Sequence, residues 1–157
     1  MRAFRDALGC FATGVCIVTC CTADGTPHGV TVNSFSSVSL DPPLILFSLD
    51  RVNNSFRHFH AAQAFAVNVL SSRQEGLSRD FARQTGDRFD GVAYDPGQTG
   101  APVLPGSLAV FECARHATYD GGDHEIFVGR VENFLCQPDD ETLLYYRGRY
   151  RRVAPPE

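Results

Sequence analysis

Four segments of this 157-residue chain carry more hydroxyls, amides and special turns than a plain β domain needs. The first is Thr31-Val32-Asn33-Ser34-Phe35-Ser36-Ser37-Val38-Ser39. Short hydroxyl and amide side chains beside free backbone N–H groups make a polar cradle for a polyhydroxy chain or a phosphate. The same residues also read as a capped turn ahead of Pro42. The second segment, Ser48-Leu49-Asp50-Arg51 followed by Asn54-Ser55, runs from a strand end into a helix start. Helix N–H groups and an N-cap hydroxyl there would face an anion, with Arg51 or Arg57 adding charge, although many helices simply begin with Asn or Ser. In the third, Gly121-Gly122-Asp123-His124, the glycines permit a tight turn at positive φ that projects Asp123 and His124. A neutral imidazole at such a tip is a flat plate that can stack on another ring while a carboxylate holds its second nitrogen. A solvated hairpin tip is the plainer alternative. The fourth, Tyr145-Tyr146-Arg147-Gly148-Arg149-Tyr150-Arg151-Arg152, alternates groups that hold a nucleotide by stacking and charge, or that keep an edge strand soluble.

Other chemistries find less support. A serine hydrolase built on Asp123 and His124 would need a nucleophile turn, and Gly-x-Ser-x-Gly is absent. Cys16, Cys20 and His28 match no zinc-knuckle spacing, and no Cys-x-x-Cys occurs, so no metal is expected. The six cysteines read as thiols, mostly small buried hydrophobes. A net charge of -4 argues against nucleic acid or a membrane surface as partner. All 14 basic residues are Arg, so any phosphate is met by guanidinium, hydroxyl or backbone N–H. No apolar run approaches the roughly 20 residues that span a bilayer. Charges in Met1-Arg2-Ala3-Phe4-Arg5-Asp6 interrupt any signal-like start, and the expected location is cytoplasmic.

The elements that must position these groups are read from periodicity. One domain is expected over 1–157, with its core at about 4–153 and a Pro-containing tail from Ala154. Phe4, Leu8 and Phe11 mark one face of a short helix that Gly14 ends. Val15 to Thr22 and His28 to Val32 form a hairpin about Asp24-Gly25. Leu44 to Leu49 and Ala64 to Leu70 read as strands, Phe56 to about Ala62 as a capped helix, and Ser72 to Arg83 as an amphipathic helix. Gly86 to Gly106 is irregular. Ser107 to Tyr119 and Glu125 to Cys136 pair across the glycine turn, and Leu143 to Tyr146 follows Asp139-Asp140. Leu44-Ile45-Leu46-Phe47 and Phe65-Ala66-Val67 are apolar on both faces, which points to a closed barrel or a shared subunit interface. The absence of Gly-x-Gly-x-x-Gly and of alternating long helices excludes a doubly wound sheet.

Taken in order, the motifs closely resemble the short-chain flavin reductases, the reductase partners of two-component flavin-dependent monooxygenases. The likeness runs from about Phe4 to Val153. It is carried by Phe11-Ala12-Thr13-Gly14-Val15 with Ile17-Val18-Thr19, by Gly29 to Leu44, by Asp87-Arg88-Phe89, by Gly122-Asp123-His124 with Gly129-Arg130-Val131, and by Tyr146 to Tyr150.

The resemblance implies a mainly β fold with added helices, an antiparallel split barrel that binds FMN or FAD, with NADH or NADPH as hydride donor. It implies that Thr31, Val32, Asn33, Ser34 and Ser37 line the flavin, that Ser48, Leu49, Asp50 and Ser55 complete the ring and phosphate contacts, and that Arg88 and Phe89 sit nearby. His124 would pack against the nicotinamide, and Arg147, Gly148 and Tyr150 would help hold the dinucleotide. It further implies a homodimer and a monooxygenase component that receives reduced flavin. Hydride transfer between two such rings needs no protein acid, base or nucleophile; the protein supplies stacking, water exclusion and electrostatics. A non-catalytic flavin carrier of the same fold is the main alternative, distinguished by tight flavin retention. An oxidase would need substrate-specific groups that the sequence does not name.

Overall fold

The computed structural model describes residues 1–137 and 139–154; the tail expected from Ala154 otherwise lies outside them. In chain order the elements are α1 (Arg2–Leu8), β1 (Thr13–Gly14), β2 (Cys16–Cys21), β3 (Pro27–Val32), β4 (Ser36–Leu40), β5 (Pro43–Asp50), α2 (Phe56–Ala61) and β6 (Ala64–Val69). A 3-10 turn at Ser72–Gln74 then leads into α3 (Glu75–Phe81), followed by β7 (Asp95–Pro96), β8 (Pro102–Val103), β9 (Ala109–Gly121), β10 (His124–Cys136), β11 (Leu144–Tyr146) and β12 (Arg149–Arg151).

Seven strands make one antiparallel sheet in the order β3-β2-β6-β9-β10-β5-β4. Its outermost strands, β3 and β4, are consecutive in sequence and joined only by Asn33, Ser34 and Phe35. A flat sheet would hold its edges six spacings apart, roughly 29 Å. The link from Val32 to Ser36 spans about 14 Å at full stretch. The sheet must therefore coil until its edges approach each other at residues 33–35. No ladder joins β3 to β4 among the described residues, so the hydrogen-bonded sheet stays open where the sequence reading allowed full closure.

Inside the coil Phe47 stacks on Phe127 with centroids 5.0 Å apart and takes Phe65 and Phe59 edge-on. Cys16, Val18 and Cys20 of β2 point into this core, while Ile17 on the opposite face joins Leu70, Phe81, Phe89 and Leu104 in a second one. That second layer explains why β2 and β6 are apolar on both faces: α3 and the 97–106 segment cover their outer side. Asn68 pins the segment, its side chain donating to Ile17 O at 3.0 Å and accepting from Leu104 N at 2.9 Å.

Several expectations need correction. β5 does alternate: Ile45, Phe47 and Leu49 are buried, and Leu44, Leu46 and Ser48 are half-buried on the outer face. The first helix ends at Gly9 rather than Gly14, because Thr13 and Gly14 pair with Tyr145 and Leu144. Its apolar face stays exposed, at 67% for Phe4, 59% for Leu8 and, just beyond the helix, 78% for Phe11. The helix expected over Ser72 to Arg83 is shorter and begins as a 3-10 turn, because Ser71 and Gln74 form a capping box there. Ser36–Leu40, read as loop, is an edge strand, and Arg149–Arg151 returns along β11.

Candidate functional site

The link between β3 and β4 is held by one hydroxyl. Ser34 Oγ accepts from Ser48 N and donates to Ser48 O, both at 2.9 Å. Ser36 pairs with Leu46 in the β4–β5 ladder, so Ser34 stands two residues further along, opposite Ser48. Its side chain takes the two positions that a strand backbone would occupy. The backbone N–H groups of Asn33, Ser34 and Phe35 have no hydrogen-bond partner among the described residues.

The unpaired row continues along β3. Gly29 O receives Arg88 Nη1 at 2.6 Å, so Gly29 turns its backbone polar groups toward the free edge. Alternation gives Thr31 and Asn33 the same orientation. Asn33 also borders a cavity of about 790 Å³ that Arg5, Phe11, Thr13, Tyr145 and Arg147 help to line. Thr13 Oγ1 in that wall is buried and makes no hydrogen bond among the described residues. An orphaned hydroxyl beside a row of free amides is an uncommon combination in a settled structure and marks a place where a polar ligand completes the bonding.

At the other end of the β3 edge Arg88 is fixed by three bonds: Nε to Arg83 O at 2.7 Å, and Nη1 to Gly29 O and to Ser55 Oγ at 2.9 Å. It has no carboxylate partner among the described residues. Burial lowers its pKa from the usual guanidinium value, yet the group stays charged. Gly29 makes this packing possible, since a Cβ there would meet the Phe81 ring at 2.5 Å and Phe89 at 3.3 Å. A cavity of about 480 Å³ lies over Ser55, Arg88 and Phe89. Contrary to the capping expectation, the Ser55 hydroxyl makes no bond to its own helix and serves Arg88 instead.

The tip of the β9–β10 hairpin stands beside the end of β5. Gly121 pairs with His124, leaving Gly122 and Asp123 as a two-residue turn in which only Gly122 has positive φ, +79°. Glycine first is the pattern of a type II′ hairpin. The ladder places His124 opposite Asp50. His124 Nδ1 lies 2.7 Å from Asp123 Oδ1, so the expected carboxylate partner of the imidazole is present. That contact, with a smaller contribution from Arg5, holds the Asp123 carboxyl below its usual range. Arg51 is not free for an anion. Its side chain bonds Asp120 at 3.0 Å, the buried Glu125 at 3.1 Å and Gly122 O at 3.3 Å, and its backbone N–H bonds Asp123 O at 3.0 Å. Arg51 thereby fixes the tip that carries His124.

Arg147 and Gly148 form a second two-residue turn, with φ of +49° and +74°. Both line the Asn33 cavity, and Arg147 N donates to Gly9 O at 2.9 Å. Tyr150 is engaged within the fold: its hydroxyl lies 2.7 Å from Ser78 Oγ and its ring lies under Arg79 at 4.8 Å. It still borders a 200 Å³ cavity shared with Thr31, Val32 and Asn33. Thr31 Oγ1 is likewise spoken for, by Ser78 O at 2.7 Å.

The structure thus gathers Thr31, Val32, Asn33, Arg147, Gly148 and Tyr150 at one end, Ser55, Arg88 and Phe89 at the other, and Ser34, Ser48, Asp50 and His124 along the join. Leu49 and Phe89 are core side chains, so Leu49 offers only backbone and Phe89 only its edge. Ser37 lies apart, exposed on β4 opposite Ile45. The sequence reading missed Arg5 and Thr13 as cavity walls and His58 beside Arg88; it had Tyr145 only within the run of stacking and charged groups near the C-terminus, and weighed His28 only as a metal ligand. A heterocycle with a polyhydroxy tail ending in phosphate fits this arrangement: free amides at one end, an unpaired guanidinium at the other, and about 13 Å of strand between Gly29 and Asn33.

Known proteins converge on the same description. Residues 8–154 match the model of the flavin reductase like domain. The chain is 46% identical to the FMN reductase (NADH) SmoA of Agrobacterium fabrum, across 98% of this chain and 86% of that one. It is 43% identical to the reductase component of a flavin-dependent trigonelline monooxygenase of Acinetobacter baylyi, across 96% of this chain but 48% of that one, so it spans about half of that relative. The solved structure of the NADH:FAD oxidoreductase SgcE6 of Streptomyces globisporus, in complex with NAD and FAD fragments, superposes with a TM-score of 0.91 at 42% identity, covering 97% of this chain and 92% of that one. With its open coiled sheet, its seam of free amides and its lone guanidinium, this chain belongs to the flavin reductase like domain family.

Proposed function

We propose that the chain is an NAD(P)H:flavin oxidoreductase that reduces FMN or FAD in the seam between β3 and β5 and hands the reduced flavin to a monooxygenase component. The observation that carries this reading is the seam itself: unpaired N–H groups at Asn33, Ser34 and Phe35 on one side and the carboxylate-free Arg88 on the other. The family's split-barrel description suits a sheet whose edges approach without pairing. Free cysteines at Cys16, Cys20 and Cys113 suit a reducing cytoplasm.

Thr31, Val32, Asn33, Ser34 and Asp50, with Ser48 and the Leu49 backbone, hold the ring and its tail, and Ser37, which lies apart on β4, is left out of the site. Ser55 and Arg88 hold the phosphate, against the edge of Phe89. His124 lies against the nicotinamide, and Arg147, Gly148 and Tyr150 support the pyridine nucleotide. A bound flavin supplies the hydride acceptor and a bound NADH or NADPH the donor. The protein contributes placement. The amides of residues 33–35 are fixed by Ser34 before a ligand arrives, so negative charge growing opposite them is met without reorganisation. Asp123 holds one imidazole nitrogen of His124 and so sets the ring's orientation. No side chain is assigned as acid, base or nucleophile.

A second copy of the chain is the natural cover for Phe4, Leu8, Phe11, Phe134 and Leu135, all exposed in the single chain. Arg5 and Phe11 of this surface also line the Asn33 cavity, so a homodimer would close the site. The test is NADH and NADPH oxidation with FMN, FAD and riboflavin in turn, followed by ultrafiltration. Steady oxidation with flavin passing the filter supports a reductase. Flavin retained with no oxidation supports the carrier alternative.

A further inference from the structure

The cavity at the Arg88 end, about 480 Å³, is larger than a phosphate needs, and its far wall is built from two imidazoles. His28 enters from β3 and His58 from α2, and their rings stack with centroids 3.6 Å apart and planes 9° from parallel. Both are half-buried, and neither belongs to a hydrophobic cluster. Burial is the main cause lowering the proton affinity of each. Beside His28, the groups His58, Arg57 and Arg88 push the same way and Asp24 opposes; beside His58, Arg57 pushes the same way. Asp87 is the remaining charged group on the cavity wall. The pair is therefore an uncharged aromatic plate at neutral pH. Next to it, Arg88 spends Nε and Nη1 on the protein, while Nη2 has no partner among the described residues.

A flat neutral plate beside a free guanidinium edge matches a purine joined to phosphate: the base stacks and the second phosphate meets Nη2. We propose that the His28–His58 stack is an adenylate subsite, by which this chain prefers the dinucleotide flavin to the mononucleotide. The proposal rests on the flavin reading above and names a specificity that the reading leaves open.

The test is fluorescence titration of the purified chain with FAD, FMN and riboflavin, repeated for His58→Ala and His28→Asn, with AMP as a competitor. The wild type should bind FAD about 10-fold tighter than FMN, AMP should displace FAD more readily than FMN, and each variant should weaken FAD by about 5- to 10-fold, the scale of one aromatic stack, while FMN barely changes. Equal wild-type affinities for FAD and FMN would overturn the subsite, as would equal losses of both flavins in variants whose melting is unaltered. The wild-type ratio and the AMP competition need no variant, so a misfolded substitution cannot shelter the idea. A chain that binds FMN and FAD alike loses only this inference; one that binds no flavin loses the function itself.

Discussion

The two ends of the β3 edge are built in opposite ways. At the Arg88 end the chain has fixed its binding group in place: Nε and Nη1 of the guanidinium are clamped by Arg83, Gly29 and Ser55, which leaves Nη2 directed by the clamp, and the Phe81–Phe89 layer packs against Gly29 beneath it. At the Asn33 end the backbone amides and Thr13 Oγ1 are unanswered, and the nearby α1 buries none of its residues. One end presents a charge that the protein has already set in place. The other presents open hydrogen-bonding positions. In the proposed function, such a division would let an anionic tail anchor the flavin while its ring stays accessible to a second nucleotide.

Substitutions should separate the ends. The largest effect is expected for Arg88→Gln. Charged hydrogen bonds contribute about 1.5–3 kcal/mol, so FMN affinity should fall roughly 10- to 100-fold. Riboflavin, which lacks the phosphate, should be almost unaffected; equal losses would mean that Arg88 only supports the fold. Next comes Ser34→Ala, which removes both bonds to Ser48 and loosens the link. Denaturant unfolding should show about 1–2 kcal/mol lost, and riboflavin should weaken together with FMN.

His124→Ala should act on neither flavin. Removing one aromatic contact, worth about 1 kcal/mol, should raise KM for the pyridine nucleotide by roughly 5-fold with flavin affinity kept. Matching losses in both would move His124 out of the nicotinamide position.

The smallest effect is on pH dependence. His28 and His58 have folded pKa values below the ordinary 6.5. Below 6.5 the unfolded chain therefore binds more protons than the folded one, so stability falls as pH drops and recovers above it. Thermal melts between pH 7.5 and 5.5 should show this slope in the ligand-free chain, reduced in His28→Asn. An unchanged slope would remove the pair from the account of pH.

Much of this was legible in residue types. The polar Asn33–Ser34 turn, the Asp123–His124 pair and six of the seven strands of the main sheet, all but β4, follow from turn residues and apolar runs, which act locally. What escaped depended on distance in sequence. Arg51 looks like an anion ligand beside a helix start, yet its partners Asp120 and Glu125 lie some seventy residues away. Ser55 looks like a helix cap until Arg88, 33 residues on, claims its hydroxyl. Leu44 and Leu46 look like core, but they lie on the half-exposed outer face of β5, and a single strand's composition cannot reveal what covers it. Ser36 to Leu40 is polar because it is an edge strand, and polarity alone reads as loop.

The central claim is that the free edge between β3 and β5 receives the flavin. Amide hydrogen exchange of the purified chain, with and without saturating FMN, reads that edge directly. Slowed exchange is expected at Asn33, Ser34 and Phe35, with little change at the β6–β9 pairing far from it. Unaltered exchange at those three amides under saturating, demonstrably bound FMN would contradict the claim and place the ligand elsewhere on the molecule.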